Sequence, residues 1–173
     1  MITRPLNIHK WIADNRHLLK PPVSNKVIFK DADFMVMIVA GPNSRKDYHY
    51  NESEEFYYQL EGDIVVGIQE NGKAVDVPIK VGEIFLLPGK EPHQPRRGPD
   101  TIGLVIEMRR KPNVKDGLLW FCEKCNNKLY EEYFVLTNIE EQFQTVFAKF
   151  YGSKELRTCK KCNHMMEPPA KPV

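Results

Sequence analysis

Seven side chains in this 173-residue chain have the types and spacing for metal chemistry. Three of them are His49, His93 and a carboxylate from the pair Glu54-Glu55 that lies between them. Two imidazoles and one carboxylate can hold one face of a divalent ion and leave three positions open. That arrangement suits non-heme Fe(II) chemistry, in which substrate and O₂ bind side by side. The other four are Cys122, Cys125, Cys159 and Cys162, which form two Cys-x-x-Cys pairs. Each pair can give two thiolates to one tetrahedral ion. Four protein ligands close such a site, so a structural or electron-transfer role is expected there rather than action on substrate. A thioredoxin-like redox role rivals a lone Cys-x-x-Cys, but two pairs without a preceding βαβ pattern argue against it. His164 follows Cys162 closely and is a spare donor that four thiolates do not need.

Either glutamate could complete the first set. Glu54 fits the shorter spacing to His49. Glu55 fits the spacing to Gly62, and a strand starting there places Glu55, Tyr57 and Gln59 on one face, so Glu55 is preferred. Arg45 stands four residues before His49, Arg97 four after His93, and Glu107 ends the apolar run Gly103-Leu104-Val105-Ile106. An arginine turned into a small barrel needs an anion, because an unpaired buried charge is costly. Its planar fork suits a carboxylate. Otherwise Arg45, Arg96 and Arg97 are solvated loop residues.

The elements that must position these groups read as strands. The segments Val27 to Phe29, Phe34 to Val39, Phe56 to Leu60, Ile64 to Ile68, Ile84 to Leu87 and Ile102 to Ile106 are rich in β-branched and aromatic residues. Turn signals separate them, and Asn71-Gly72 predicts a type I′ hairpin. Short, closely spaced strands suggest a sandwich or small barrel. Before them, Ile8, Trp11 and Ile12 fall at helical spacing with Asn7 as a cap, and Pro21-Pro22 ends any helix. After residue 112 the character changes. Leu136, Ile139, Phe143, Val146, Phe147 and Phe150 form a helical stripe, read as packing surface. We therefore divide the chain into 1–112, carrying the barrel and the His/Glu set, and 113–173, carrying the Cys set.

Composition narrows the partners. Lys plus Arg number 25 against 23 Asp plus Glu, a net charge of +2, which makes no case for nucleic acid or a membrane surface. No apolar run approaches the roughly 20 residues of a membrane helix, and no apolar signal core opens the chain, so a cytoplasmic protein is expected. A zinc ribbon that binds nucleic acid is a further reading of the C-terminal part. Its nine Lys and Arg against eight Asp and Glu are too balanced for a phosphate-tracking surface.

The spacings from Gly41 to Gly62 and from Gly82 to His93 resemble the two cupin motifs, with Asp47 in place of the first His of His-x-His and with Gly89 directly after Pro88. The implied fold is mainly β: a cupin double-stranded β-helix, or jelly-roll, barrel with a small C-terminal four-cysteine metal-binding segment and helix. More specifically, the chain resembles bacterial and fungal 3-hydroxyanthranilate 3,4-dioxygenases. The stretches that carry this are Leu18 to Asn25, Met37 to Asn43, Arg45 to His49, Glu54 to Gln59, Leu86 to Arg97, Gly103 to Glu107 and the two Cys pairs. The resemblance implies ring opening of 3-hydroxyanthranilate by O₂ to 2-amino-3-carboxymuconate semialdehyde, which closes to quinolinate, a precursor of NAD. By position it makes His49, Glu55 and His93 the ligands of catalytic Fe(II). It gives Arg45 and Arg97 the substrate carboxylate, Glu107 the amino or hydroxyl side, and Asn25 a place near the substrate. It implies a rubredoxin-like iron at the Cys set, where zinc would satisfy the same ligands, and it allows a homodimer. Relatives from higher animals lack the Cys site, so ring opening is expected without it. A different metal-dependent cupin enzyme, or a cupin that binds a small acid, is the alternative. It would not need Arg45, Arg97 and Glu107 together.

Overall fold

The computed structural model describes residues 4–20, 24–29, 32–137 and 139–170, with nothing to be said of the side chains of 139–141. Pro21 and Pro22 lie outside the described residues. The order is α1 (Ile8–Asn15), a 3-10 turn (Arg16–Leu18), β1 (Asn25–Val27), β2 (Phe34–Ala40), β3 (Tyr48–Tyr50), β4 (Glu55–Glu61), β5 (Ile64–Glu70) and β6 (Lys73–Ile79). It continues with β7 (Ile84–Leu87), β8 (His93–Arg97), β9 (Ile102–Met108), β10 (Lys115–Phe121), β11 (Lys128–Val135), α2 (Ile139–Gly152) and α3 (Lys154–Arg157).

The strands form two antiparallel sheets, one in the order β1-β2-β9-β4-β7 and the other β11-β10-β3-β8-β5-β6. This is a mainly β barrel of two facing antiparallel sheets. The core between the sheets is apolar at one end, where Tyr57, Ile64, Val66, Ile79, Leu87 and Val105 pack together. Helix α1 is capped by Asn7, whose side chain accepts from the Lys10 N–H at 2.9 Å. Its Ile12 joins Leu19, Ile38, Ala40 and Ile102 and covers part of the outer face of the five-stranded sheet.

Several elements differ from the sequence reading. The first strand begins two residues earlier than Val27, because Asn25 pairs with Val39 and Val27 with Met37. The sequence reading assigned no strand to residues 115–135. Here β10 and β11 form a long hairpin, and β10 pairs with β3, which puts Leu118 opposite His49. The segment after residue 112 thus continues the six-stranded sheet. Helix α2 lies against that hairpin. Phe143, Val146, Phe147 and Phe150 pack with Leu118, Trp120 and Met166, so the aromatic stripe is core. Asn71 and Gly72 both have positive φ, as a type I′ turn requires.

Candidate metal centre and active site

Strand pairing brings the His/Glu set together. His49 on β3 lies directly opposite His93 on β8. Glu55 opens β4 in the facing sheet, paired with Leu87 and with Glu107. Glu55 is buried and Glu54 is exposed, because the pleat sends them to opposite faces. One donor atom from each of His49, Glu55 and His93 lies within 4.8 Å of the other two. Glu55 Oε1 is 3.3 Å from His93 Nε2 and 3.8 Å from His49 Nδ1. Adjacent ligands on an ion with ~2.1 Å bonds sit about 3 Å apart, so the set fits a divalent ion with little movement.

The surroundings prepare these donors. His93 Nδ1 lies 3.0 Å from the Glu91 carbonyl, so it carries the proton and leaves Nε2 free to bind. The far nitrogen of His49 is 2.7 Å from Asp116 Oδ2. Asn51 donates to Glu55 Oε1 at 2.5 Å and Tyr57 to Oε2 at 2.6 Å. Burial alone would raise the Glu55 carboxyl, but His93, His49 and Tyr57 outweigh it and hold it far below the usual range. Burial also opposes charge on His93, yet the Glu55 carboxylate raises its pKa overall. On His49 burial prevails and lowers it. The Glu55 carboxylate thus places negative charge beside both imidazoles.

A cavity of about 150 Å³ adjoins the set, lined among others by Asn25, Val39, Arg45, Val105, Glu107 and Phe143. Arg97 also lines it, and only 4% of that residue is exposed. Its Nη1 donates to Gln59 at 3.3 Å, and its Nε has no hydrogen-bond partner among the described residues. Burial drives this guanidinium down to about 10. Among the described residues no carboxylate pairs with this cation, and the cavity is where an anion would come from. Arg45 is placed differently. Its Nε and Nη2 both go to the buried Asp47, at 3.0 Å for Nε, and its guanidinium lies 5.2 Å from the Phe143 ring centre. Asp47, standing where the cupin motif has its first His, therefore holds an arginine. Arg96 turns outward and pairs with Asp76 at the surface. Glu107 forms an ion pair with Arg110 Nη1 at 2.7 Å and accepts from Asn51 at 3.2 Å. Burial, reinforced by Glu55, lifts its carboxyl up to about 7.

The four cysteines also meet. Cys122 Sγ and Cys162 Sγ are 3.6 Å apart, as are Cys125 Sγ and Cys159 Sγ. The sulfur–sulfur edge of a tetrahedron with ~2.3 Å bonds is about 3.8 Å, so the cluster fits a tetrahedral ion. The two knuckles share one geometry. In each, an asparagine with positive φ, Asn126 or Asn163, donates its N–H to the carbonyl of the first cysteine. Burial opposes ionisation of Cys159, but the N–H groups of Cys162 and Lys161 outweigh it and bring the thiol down to about 6. His164 points to Glu123 instead, at 3.6 Å.

Asn51, Tyr57, Arg110 and Asp116 were missed in the sequence. Tyr57 alone carried a signal, the alternation with Glu55.

The sequence profile of the 3-hydroxyanthranilic acid dioxygenase family matches residues 1–151. The chain belongs to this family. A 3-hydroxyanthranilate 3,4-dioxygenase from Xanthomonas euvesicatoria is 54% identical over 169 residues, covering 98% of this chain and 96% of the relative. Relatives of the same name from Neurospora crassa and Bacillus thuringiensis are 41% and 44% identical. They cover 99% and 92% of this chain, and 95% and 90% of their own. Among solved structures, protein NMB1881 from Neisseria meningitidis superposes with a TM-score of 0.50 at 19% identity. The match covers 61% of this chain and all of that one, and it is a likeness of fold alone. Membership of the 3-hydroxyanthranilic acid dioxygenase family makes this a metal-dependent dioxygenase, with the His49, Glu55 and His93 cluster as its candidate metal site.

Proposed function

We propose that the chain opens the ring of 3-hydroxyanthranilate with O₂, with Fe(II) held by His49, Glu55 and His93. The product is 2-amino-3-carboxymuconate semialdehyde, which closes to quinolinate on the route to NAD. The observation that carries this reading is the buried Arg97, unpaired with any carboxylate among the described residues, in a cavity of about 150 Å³ beside a two-His, one-carboxylate set.

The bound ion would anchor the adjacent amino and hydroxyl groups of the substrate and let electron density pass from the ring to O₂. The chain's own residues do the rest. Arg97 takes the substrate carboxylate, and Arg45 adds its remaining Nη1. Asp47 and the Phe143 ring keep Arg45 from swinging away. With the carboxylate fixed, the ring can turn only its amino and hydroxyl edge toward the ion, which is the orientational gain. Asn25 borders the same cavity. Glu107 accepts the proton released when the substrate's hydroxyl or amine binds, and Arg110 favours the charged carboxylate that can take it. The four cysteines hold a second, structural ion, iron or zinc. Cysteines that hold an ion rather than pair as disulfides fit a reducing compartment, and we place the protein in the cytoplasm. Among the described residues no helix is long and apolar enough to cross a membrane.

The outer face of the five-stranded sheet supports a homodimer. Phe34, Ile84 and Leu86 are 54%, 66% and 54% exposed, and Leu86, Phe56, Ile106 and Val36 form one row in register across the sheet. An apolar row of this breadth exceeds scattered surface hydrophobics. Sedimentation should give twice the chain mass, reduced to one chain by Ile84→Glu with Leu86→Glu. A monomeric wild type would remove the proposal.

The function itself is tested by oxygen uptake. Iron-loaded protein should consume one O₂ per 3-hydroxyanthranilate, with the absorbance of the ring-opened product rising in step. Iron-loaded protein that leaves the compound untouched would be a cupin with another substrate.

A further inference from the structure

We propose that Asp116 and Arg110 are positioning residues that fix His49 and Glu107 as one unit. This rests on the reading of His49 as a metal ligand. Asp116 lies on β10, the first strand of the C-terminal segment, and its side chain is fully buried. Arg110 follows β9, three residues beyond Glu107. One guanidinium holds both carboxylates. Its Nε and Nη2 lie 3.1 and 2.7 Å from the two oxygens of Asp116, and its Nη1 lies 2.7 Å from Glu107. The same Asp116 oxygen that takes Nη2 is 2.7 Å from His49 Nε2. The chain of contacts therefore runs from His49 to Asp116 to Arg110 to Glu107 without a gap.

The physical consequences follow from the geometry. With Nε2–H donating to Asp116, the lone pair of His49 sits on Nδ1, the nitrogen that faces Glu55. A carboxylate on the far nitrogen fixes the ring's rotation and tautomer and makes it a stronger donor. A buried carboxylate could not stay there unpaired, and the bidentate arginine both neutralises it and sets its plane. The other branch of that arginine sets the rotamer of Glu107. Neither Asp116 nor Arg110 offers an atom to the ion. Strand β10 enters the metal site through Asp116, although it lies beyond both cupin motifs.

The test is metal affinity in the absence of substrate. Mn(II) favours nitrogen and oxygen donors over thiolates, so it reports the barrel site and not the cysteines. Apo protein is titrated with Mn(II) and the free ion counted by electron paramagnetic resonance. Near-ultraviolet circular dichroism confirms that each variant is folded. Asp116→Ala should bind Mn(II) about 10- to 100-fold more weakly, and the isosteric Asp116→Asn should lie between it and wild type. Arg110→Gln should weaken binding too, and the double variant Asp116→Ala, Arg110→Gln should lose little beyond Asp116→Ala alone, because the pair acts as a unit. If the alanine variant does not fold, Asp116→Asn carries the comparison. Wild-type affinity in folded Asp116→Ala or Asp116→Asn would overturn the proposal, and so would strictly multiplicative losses in the double variant. Undiminished affinity in His49→Ala would instead overturn the ligand reading beneath it.

Discussion

Arg97 reaches over Gly103. A Cβ added at Gly103 would lie 3.1 Å from Arg97 Nη1 and 2.7 Å from Gln59 Oε1. Gly103 is the second residue of β9, opposite Val39 of β2 and Gln59 of β4, so the sheet lacks a side chain there and the guanidinium uses the space. The atoms a methyl group would displace are the ends of flexible side chains. Gly103→Ala should therefore fold with a nearly unchanged thermal midpoint. It should raise KM for 3-hydroxyanthranilate about tenfold, about 1.4 kcal/mol, with a smaller change in kcat. Steady-state kinetics beside a melting curve would show it, and an unchanged KM would mean that Arg97 does not touch the substrate.

The two arginines should fail in different ways. Arg97→Ala removes a desolvated partner of the substrate carboxylate and should cost binding about 2–5 kcal/mol with little loss of stability. Arg97→Lys should restore little, since an ammonium lacks the fork. Arg45→Ala should raise KM and also lower the unfolding free energy by about 3 kcal/mol, because it leaves the buried Asp47 without its cation. Denaturant titration of both variants separates them. Equal stability losses would contradict the assignment.

Glu107 gives a pH dependence. Burial raises its carboxyl to about 7, so in metal-free protein it is neutral below that pH and charged above it. A proton acceptor must be charged, so turnover should rise with pH along a limb assigned to this group. A bound dication will move that limb below about 7, because it favours the charged form. Infrared spectra of the apo protein should show a protonated buried carboxyl at about pH 5.5 that is gone at about pH 8.5 and absent in Glu107→Gln. The same variant should lose the rising limb of its rate profile. A Glu107→Gln enzyme with full turnover and an unchanged profile would remove the proton-accepting role.

The cysteine cluster should be separable from ring opening. Its four sulfurs meet at the tip of the β10–β11 hairpin and beside α3, and not in the cavity beside His49. Cys159→Ser should lose the second ion and some thermal stability while retaining measurable turnover once iron is restored to the barrel. Metal analysis and activity on one preparation decide it. A folded, iron-loaded variant with no turnover would give the cluster a part in catalysis.

The strands with apolar alternation were legible, as were the Asn7 cap, the Asn71-Gly72 hairpin and the buried stripe of α2. Strands β3 and β8 were not read as strands. Tyr48–Tyr50 has three residues, and in His93–Arg97 the buried positions are the polar His93 and Arg97, which erases the apolar alternation. Strand β10 escaped because Lys115, Asp116 and Gly117 break the apolar alternation at its start. Arg110 lies between Arg109 and Lys111, and a run of three cations looks solvated whatever its middle member does. Asp116 next to a glycine looks like a loop residue. Its partners lie six and 67 residues away, beyond any local pattern. The residues that hold ligands thus carried motif spacing, and those that hold the ligands in place did not.

The most direct measurement of the central claim is a single turnover under ¹⁸O₂. Iron-loaded protein is mixed anaerobically with 3-hydroxyanthranilate, ¹⁸O₂ is admitted, and the ring-opened product is trapped before it closes. We expect both labelled atoms in that product, and no product from His49→Ala treated alike. A product with one labelled atom, or equal turnover by His49→Ala, would contradict dioxygenation at the His49, Glu55 and His93 site.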